Sequence, residues 1–145
     1  MQHQRRDFKN QRPRPERPDW AAKFNPDWIT QEIDKNTVEF SKDFGKYLAR
    51  NGLTTSQIRN VYGELKRIQM KGFDSEKSSF LLLLPKMAYT LKRNESRGNK
   101  DGLEALRDVF EKIHASVKDE KNYQNMMDLM EAILAYHKAF GGKEN

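Results

Sequence analysis

Two rows of basic side chains stand out once the chain is wound at helical pitch. Behind Thr54, successive residues turn by ~100°. Arg59, Gly63 and Lys66 then fall on one line beside an apolar face of Ile58, Tyr62 and Leu65. Further along, Lys86, Tyr89, Arg93 and Arg97 lie opposite Phe80, Leu84, Met87 and Leu91, with Lys92 flanking them. Cations at this spacing neutralise phosphates, and a tyrosine among them stacks on a base or packs on a ribose. Glycine inside a helix costs about 1 kcal/mol relative to alanine, so Gly63 between two cations calls for a reason. Close approach of a phosphate chain is one such reason, and packing of a second helix is the other. For the second row the plainer alternative is a solvated basic face, with Tyr89 half-buried.

Other chemistry is harder to find. The three histidines, His3, His114 and His137, are scattered, and no pair has the i, i+4 spacing of a helical metal site. His114 is expected to be an ordinary boundary residue, and His137 to interact with the dipole at the end of the last helix. Asp101/Glu104 and Asp108/Glu111 read as a solvated face, with Arg107/Glu111 and Asp108/Lys112 as i, i+4 pairs. Gly98 and Gly102 are not set in a phosphate-binding loop. The expectation is a non-enzyme without metal or cofactor.

The elements that must position the two rows are all helical by period. Residues 1–27 read as a flexible Pro/Arg-rich tail, with Pro13, Pro15, Pro18 and Pro26 among Arg5, Arg6, Arg12, Arg14 and Arg17. Trp20, Phe24 and Trp28 are apolar exceptions able to pin its end to the core or to a partner. Residues 28–142 read as a single helical domain. Val38, Phe40, Phe44, Tyr47 and Leu48 mark a first helix, closed at Asn51-Gly52. Thr54 and Gln57 form a capping box ahead of a second, carrying Ile58, Val61, Tyr62, Leu65 and Ile68 and ending at Lys71-Gly72. The third bears Phe80, Leu84, Met87 and Leu91, with a kink or break expected at Pro85. Residues 94–101, with Gly98 and Gly102, read as a loop. Leu103, Leu106, Val109, Phe110, Ile113 and Val117 make the fourth helix, and Met126, Met130, Ile133, Leu134 and Phe140 the fifth, stopped by Gly141-Gly142. No strand pattern or repeat is visible, so the expected fold is an all-α compact bundle of about five helices with a disordered basic N-terminal tail.

Charge is segregated along the 145 residues. Residues 101–145 hold six Lys or Arg against nine Asp or Glu, a net −3, so residues 1–100 must carry +9 to give the total of +6. This asymmetry favours a polyanionic partner for the tail and first three helices, nucleic acid before an anionic membrane surface. There is no cysteine, which excludes a disulfide framework and thiolate metal sites and suits a reducing cytoplasm. The longest apolar run, Phe80 to Leu84, is far short of the ~18–20 residues of a membrane span. The basic N-terminus lacks the apolar core of a secretory signal.

The run Gly52-Leu53-Thr54-Thr55-Ser56-Gln57-Ile58-Arg59-Asn60-Val61-Tyr62 resembles the Thr-Ser-Gln-Ile-Arg helix start of the small subunit of type III-A CRISPR effector (Csm) complexes. Leu83-Leu84-Pro85-Lys86-Met87-Ala88-Tyr89 resembles the same family's second signature, a leucine-rich helix leading to Pro-Lys, a hydrophobe, Ala and Tyr. Ala132 to Gly142, with Tyr136 and Gly141-Gly142, is similar to its ending. The likeness spans about residues 33–142 and leaves the tail outside. It implies a helical bundle stacked in several copies along the belly of the complex. Such a subunit lines the channel holding CRISPR RNA and target RNA, beside other Csm subunits, and cleaves neither strand. Arg59 and Lys86 carry over as RNA contacts by position. Lys66, Tyr89, Lys92, Arg93 and Arg97 rest on the helical rows alone.

Two other readings stand beside it. A helix-turn-helix DNA-binding protein would use the turn Asn51 to Thr54 and read bases with Ser56, Gln57 and Asn60. A protein–protein adaptor would need no nucleic acid. For a stacked subunit, the acidic C-terminal helices are expected to meet basic surfaces of a neighbour, through Glu104, Asp108 and Glu111.

Overall fold

Apolar side chains that recur every third and fourth residue leave water only on one side of a helix. The structure, a computed structural model, describes residues 17–93 and 98–142. Its elements are α1 (Trp20–Lys23), α2 (Asp27–Thr30), α3 (Lys35–Arg50), α4 (Thr55–Lys71), a 3-10 turn (Phe73–Ser75), α5 (Lys77–Leu81), α6 (Leu83–Arg93), α7 (Asp101–Ser116) and α8 (Glu120–Ala139). Five of the helices have seven or more residues, there is no strand among the described residues, and the all-α bundle expected from periodicity is the fold.

Local chemistry sets the helix ends. Asp34 accepts a hydrogen bond from the Thr37 amide and Thr37 Oγ1 accepts from the Asp34 amide, starting α3 with a reciprocal box. Thr54 and Gln57 do the same for α4, as their spacing predicts. Gly52 and Gly72 end α3 and α4 at φ of +89° and +99°, a region side chains rarely adopt. At the third helix the break falls at Leu82, between α5 and α6. Pro85 sits in the first turn of α6, where its missing N–H costs no hydrogen bond.

α8 is the central helix. Tyr123, Met126, Met127, Leu129, Met130, Ile133 and His137 along it are all buried. It runs against α3, where Gly45 makes the approach close: a Cβ there would stand 2.8 Å from Tyr136 Cβ. Its polar side chains reach carbonyls of the other elements. Asn122 and Asn125 donate to the Ile29 carbonyl at 3.2 and 2.9 Å, Tyr123 to Leu65 at 2.7 Å, and His137 to Leu53 at 2.7 Å. His137 is therefore a buried structural donor, where a role at the helix dipole was expected.

Packing begins inside the stretch read as tail. Trp20 and Phe24 are buried, and Trp20 meets Phe44 and Phe40 with ring centroids 5.1 and 6.0 Å apart. Phe24 and Trp28 meet edge to face at 5.8 Å. These rings repay the ordering cost that the Pro/Arg composition alone could not. Arg17 adds a polar tie, one guanidinium nitrogen 2.8 Å from both Asp101 and Glu104. Those carboxylates, expected on a solvated face, are thus engaged by a distant part of the chain. Residues 1–16, with the remaining arginines of the tail, lie outside the described residues.

Other expectations are revised. Val38 is 45% exposed, because the buried face of α3 runs through Thr37, Phe40, Ser41, Phe44, Gly45 and Leu48. Gly102 is not loop but the buried first turn of α7, its amide 2.8 Å from the Asn51 carbonyl. His114, expected at the boundary, is buried, stacked on Phe80 at 3.9 Å, with Nε2 donating to the Phe80 carbonyl at 2.7 Å. This contact moors α5 to α7 and so sets where α6 starts.

Two consequences are measurable. Trp20→Ala should cost about 3 kcal/mol in urea unfolding, whereas a dispensable tail residue would cost nothing. Burial pushes the His114 imidazole below its ordinary 6.5, outweighing the Phe80 hydrogen bond that pulls it up. The unfolded chain therefore takes up the proton first as pH falls, and this contribution to stability is lost progressively below 6.5. His114→Gln should flatten the stability slope between about pH 6.5 and 5 relative to wild type; parallel slopes would refute it.

Candidate nucleic-acid interface

The core contacts of α4 dictate its outer face. Ile58, Leu65 and Ile68 are fully buried, so Arg59, Gly63 and Lys66 line the exposed side, continued by Met70 at 79% exposure. A Cβ on Gly63 would meet nothing within 4 Å. No helix among the described residues packs there, and the backbone is open to an approaching partner. Tyr62 flanks the row. Burial first, then the fields of Glu131 and Asp128, raise its phenol, so the row borders carboxylates of α8.

α6 is held by fewer groups. Leu83 and Met87 are buried, with Leu84 and Leu91 partly so. Lys86, Tyr89 and Arg93 recur on the opposite side and are exposed, Tyr89 by 64%. The Arg93 guanidinium lies 5.8 Å from the Tyr89 ring centroid, within cation–π range. Lys92 is exposed beside them. Arg97 falls outside the described residues.

The two rows do not share one face. Lys86 Nζ lies 3.7 Å from Glu64 Oε2, which joins α6 to α4. The side of α4 turned to α6 carries Gln57, Asn60, Val61 and Glu64. Arg59 and Lys66 lie roughly 160° around the helix from it. The structure thus groups Lys86, Tyr89 and Arg93 and sets Arg59 and Lys66 apart, on the α8 side.

Residues outside the sequence-predicted set matter here. Glu64 accepts from Arg67 at 2.8 Å, and Arg67 also reaches Glu76 at 3.5 Å. The Arg67 hydrogen bond, with Lys86 adding its charge, holds the Glu64 carboxyl below the ordinary carboxylate range. Arg107 pairs with Asp108 at 2.9 Å and lines a cleft of ≈ 280 Å³ between α4, α6 and α7. Glu64 is legible in the sequence as the one acid within α4. Arg107 is not, because only the packing of α7 behind α6 brings it there. Ser56, Gln57 and Asn60, the would-be base readers, line this same cleft, and Gln57 Oε1 is engaged in the α4 cap. That is not the projecting face a recognition helix presents to a major groove.

Among the described residues no group of three or more His, Cys, Asp or Glu stands where it could hold a metal ion, and no helix is long and apolar enough to cross a membrane. Fold and surface define a small all-helical protein with cations displayed on two helix faces. The family model Csm2 Type III-A matches residues 31–143. The chain belongs to this family, the small subunits of the type III-A CRISPR Csm complex. No curated protein and no solved structure matches it. The matched stretch starts after α2, so the aromatic anchor from Trp20 to Trp28 precedes it.

Glu64 occupies Lys86 and places a negative charge under the cationic row of α6. Glu64→Gln should tighten binding of a single-stranded RNA oligonucleotide about threefold at low salt, read by fluorescence anisotropy. Unchanged affinity would show that this face lies away from RNA.

Proposed function

We propose that this Csm-complex subunit is a non-catalytic, cytoplasmic RNA-holding protein. It packs in several copies along the paired CRISPR RNA and target RNA and grips strand backbone. The observation that carries this reading is the α6 row: Lys86 and Arg93 bracket an exposed Tyr89, with Arg93 already set against the ring. Two cations and a π-face along one helix suit a phosphate chain with an exposed base or ribose. Sequence specificity is left to base pairing, so the subunit need only hold backbone. One copy offers a small patch, and several copies on one strand multiply its effect through avidity. Arg59, Lys66 and the open Gly63 form a second surface, available to another strand or to a neighbouring subunit.

Repetition along a strand needs head-to-tail surfaces. Arg17 already engages Asp101 and Glu104. Of the carboxylates expected to meet a neighbour's basic face, Glu111 and the Arg107-paired Asp108 are therefore the better candidates.

The test is RNA affinity against salt, for the isolated chain and for the reconstituted complex. Lys86→Ala/Arg93→Ala should lower the slope of log affinity against log salt by about 1.4, at ~0.7 per lost single-strand phosphate contact. Arg59→Ala/Lys66→Ala lowers it equally only if both faces hold RNA. Slopes unchanged by either pair, in both settings, would favour the adaptor reading.

A further inference from the structure

We propose that the cleft between α4, α6 and α7 receives one base extruded from the bound strand. The proposal rests on the RNA reading and adds to it a site for a single unpaired nucleotide. At ≈ 280 Å³ the cleft is at the small end of ligand sites, typically roughly 300 Å³ and above. That suits a base with its sugar and excludes a folded element of a partner.

The lining has three parts, each matching a part of a nucleotide. Val61, Met87, Leu91 and Leu103 form an apolar floor on which the face of a base can lie. Asn60 lines the wall, and its amide makes no hydrogen bond with other described residues. An amide offers a donor and an acceptor side by side, the pattern a base edge presents in return. Arg93 supplies positive charge for a flanking phosphate, and Arg107, its charge offset by Asp108 at 2.9 Å, adds N–H donors to the rim. A bare inorganic anion would have no use for the apolar floor, and an apolar ligand would bury itself beside the Arg93 guanidinium without pairing it.

Arg93 belongs to both the cleft and the exposed row. A strand running along Lys86, Tyr89 and Arg93 is therefore led to the mouth of the cleft. Turning a base out of its stack costs a few kcal/mol in a duplex and least where the base is already unpaired. The site thus selects an unpaired position on a strand held elsewhere by its backbone.

The experiment uses the full chain, alone and in the reconstituted complex. Single-stranded RNAs carry 2-aminopurine at each position in turn, a base whose emission rises when it unstacks. The variant is Asn60→Leu, at an exposed helical position, with its fold checked by circular dichroism. At one or more positions, emission should rise on wild-type binding. Asn60→Leu should abolish the rise and weaken binding about fivefold, with an unchanged salt slope. An RNA lacking the base at that position should bind wild type and variant alike. Bound RNA without an emission change, or a rise that Asn60→Leu leaves intact, overturns the pocket while the RNA reading stands. No RNA binding in either setting overturns both.

Discussion

The placement of every other element depends on how α8 is buried. Polar side chains on a central helix enclosed on several sides need partners, and α8 directs four of them to backbone carbonyls elsewhere, while His137 Nδ1 meets none among the described residues. Asn122 and Asn125 reach Ile29, Tyr123 reaches Leu65, and His137 reaches Leu53. A buried carbonyl left without a donor costs about 1–3 kcal/mol, so each bond locates an element as well as stabilising it. Leu53 immediately precedes the Thr54 cap, and Leu65 lies in the body of α4. The rotation of α4, and with it the direction in which Arg59 and Lys66 point, is set from the far side of the helix.

α6 is attached differently, and the difference bears on function. Leu83 and Met87 are its only buried residues, and α5 before it is moored by the stacking of Phe80 on His114. A helix that buries little keeps most of its circumference for other uses, and here that circumference carries Lys86, Tyr89, Lys92 and Arg93. α4 and α6 each carry a net +3, while acids of α7 and α8 border them and two at the start of α7, through Arg17, fasten the N-terminal segment. Charge segregation therefore serves internal attachment as well as recognition.

Much of the fold could be read from the chain. The five longer helices, the Thr54/Gln57 box, the glycine stops and the positions of Ile58, Leu65, Met87 and Phe110 all follow from local rules, because period and capping depend on residues within a turn or two. The errors were non-local. Val38 lost its place in the core to Thr37 and Ser41, whose hydroxyls are satisfied within their own helix, Ser41 by donating to the Thr37 carbonyl at 2.8 Å. Gly102 looks like loop from its neighbours, because nothing in sequence shows that the Asn51 carbonyl waits for its amide. Arg17 looked like one more tail cation until the start of α7 came within reach.

The candidate site divides along the same line. The sequence by itself determined which residues could carry the chemistry, since Arg59, Gly63 and Lys66, and Lys86, Tyr89 and Arg93, are aligned by helical pitch alone. Only the tertiary structure decided that the two rows face different ways, that Gly63 is open rather than packed, and that Asn60, Arg93 and Arg107 meet around one cleft. The physical reason is that pitch relates residues within a helix, whereas the relation between helices depends on buried contacts across the core. Those contacts join positions up to 96 residues apart, as Asn125 and Ile29 do, and no local pattern encodes them.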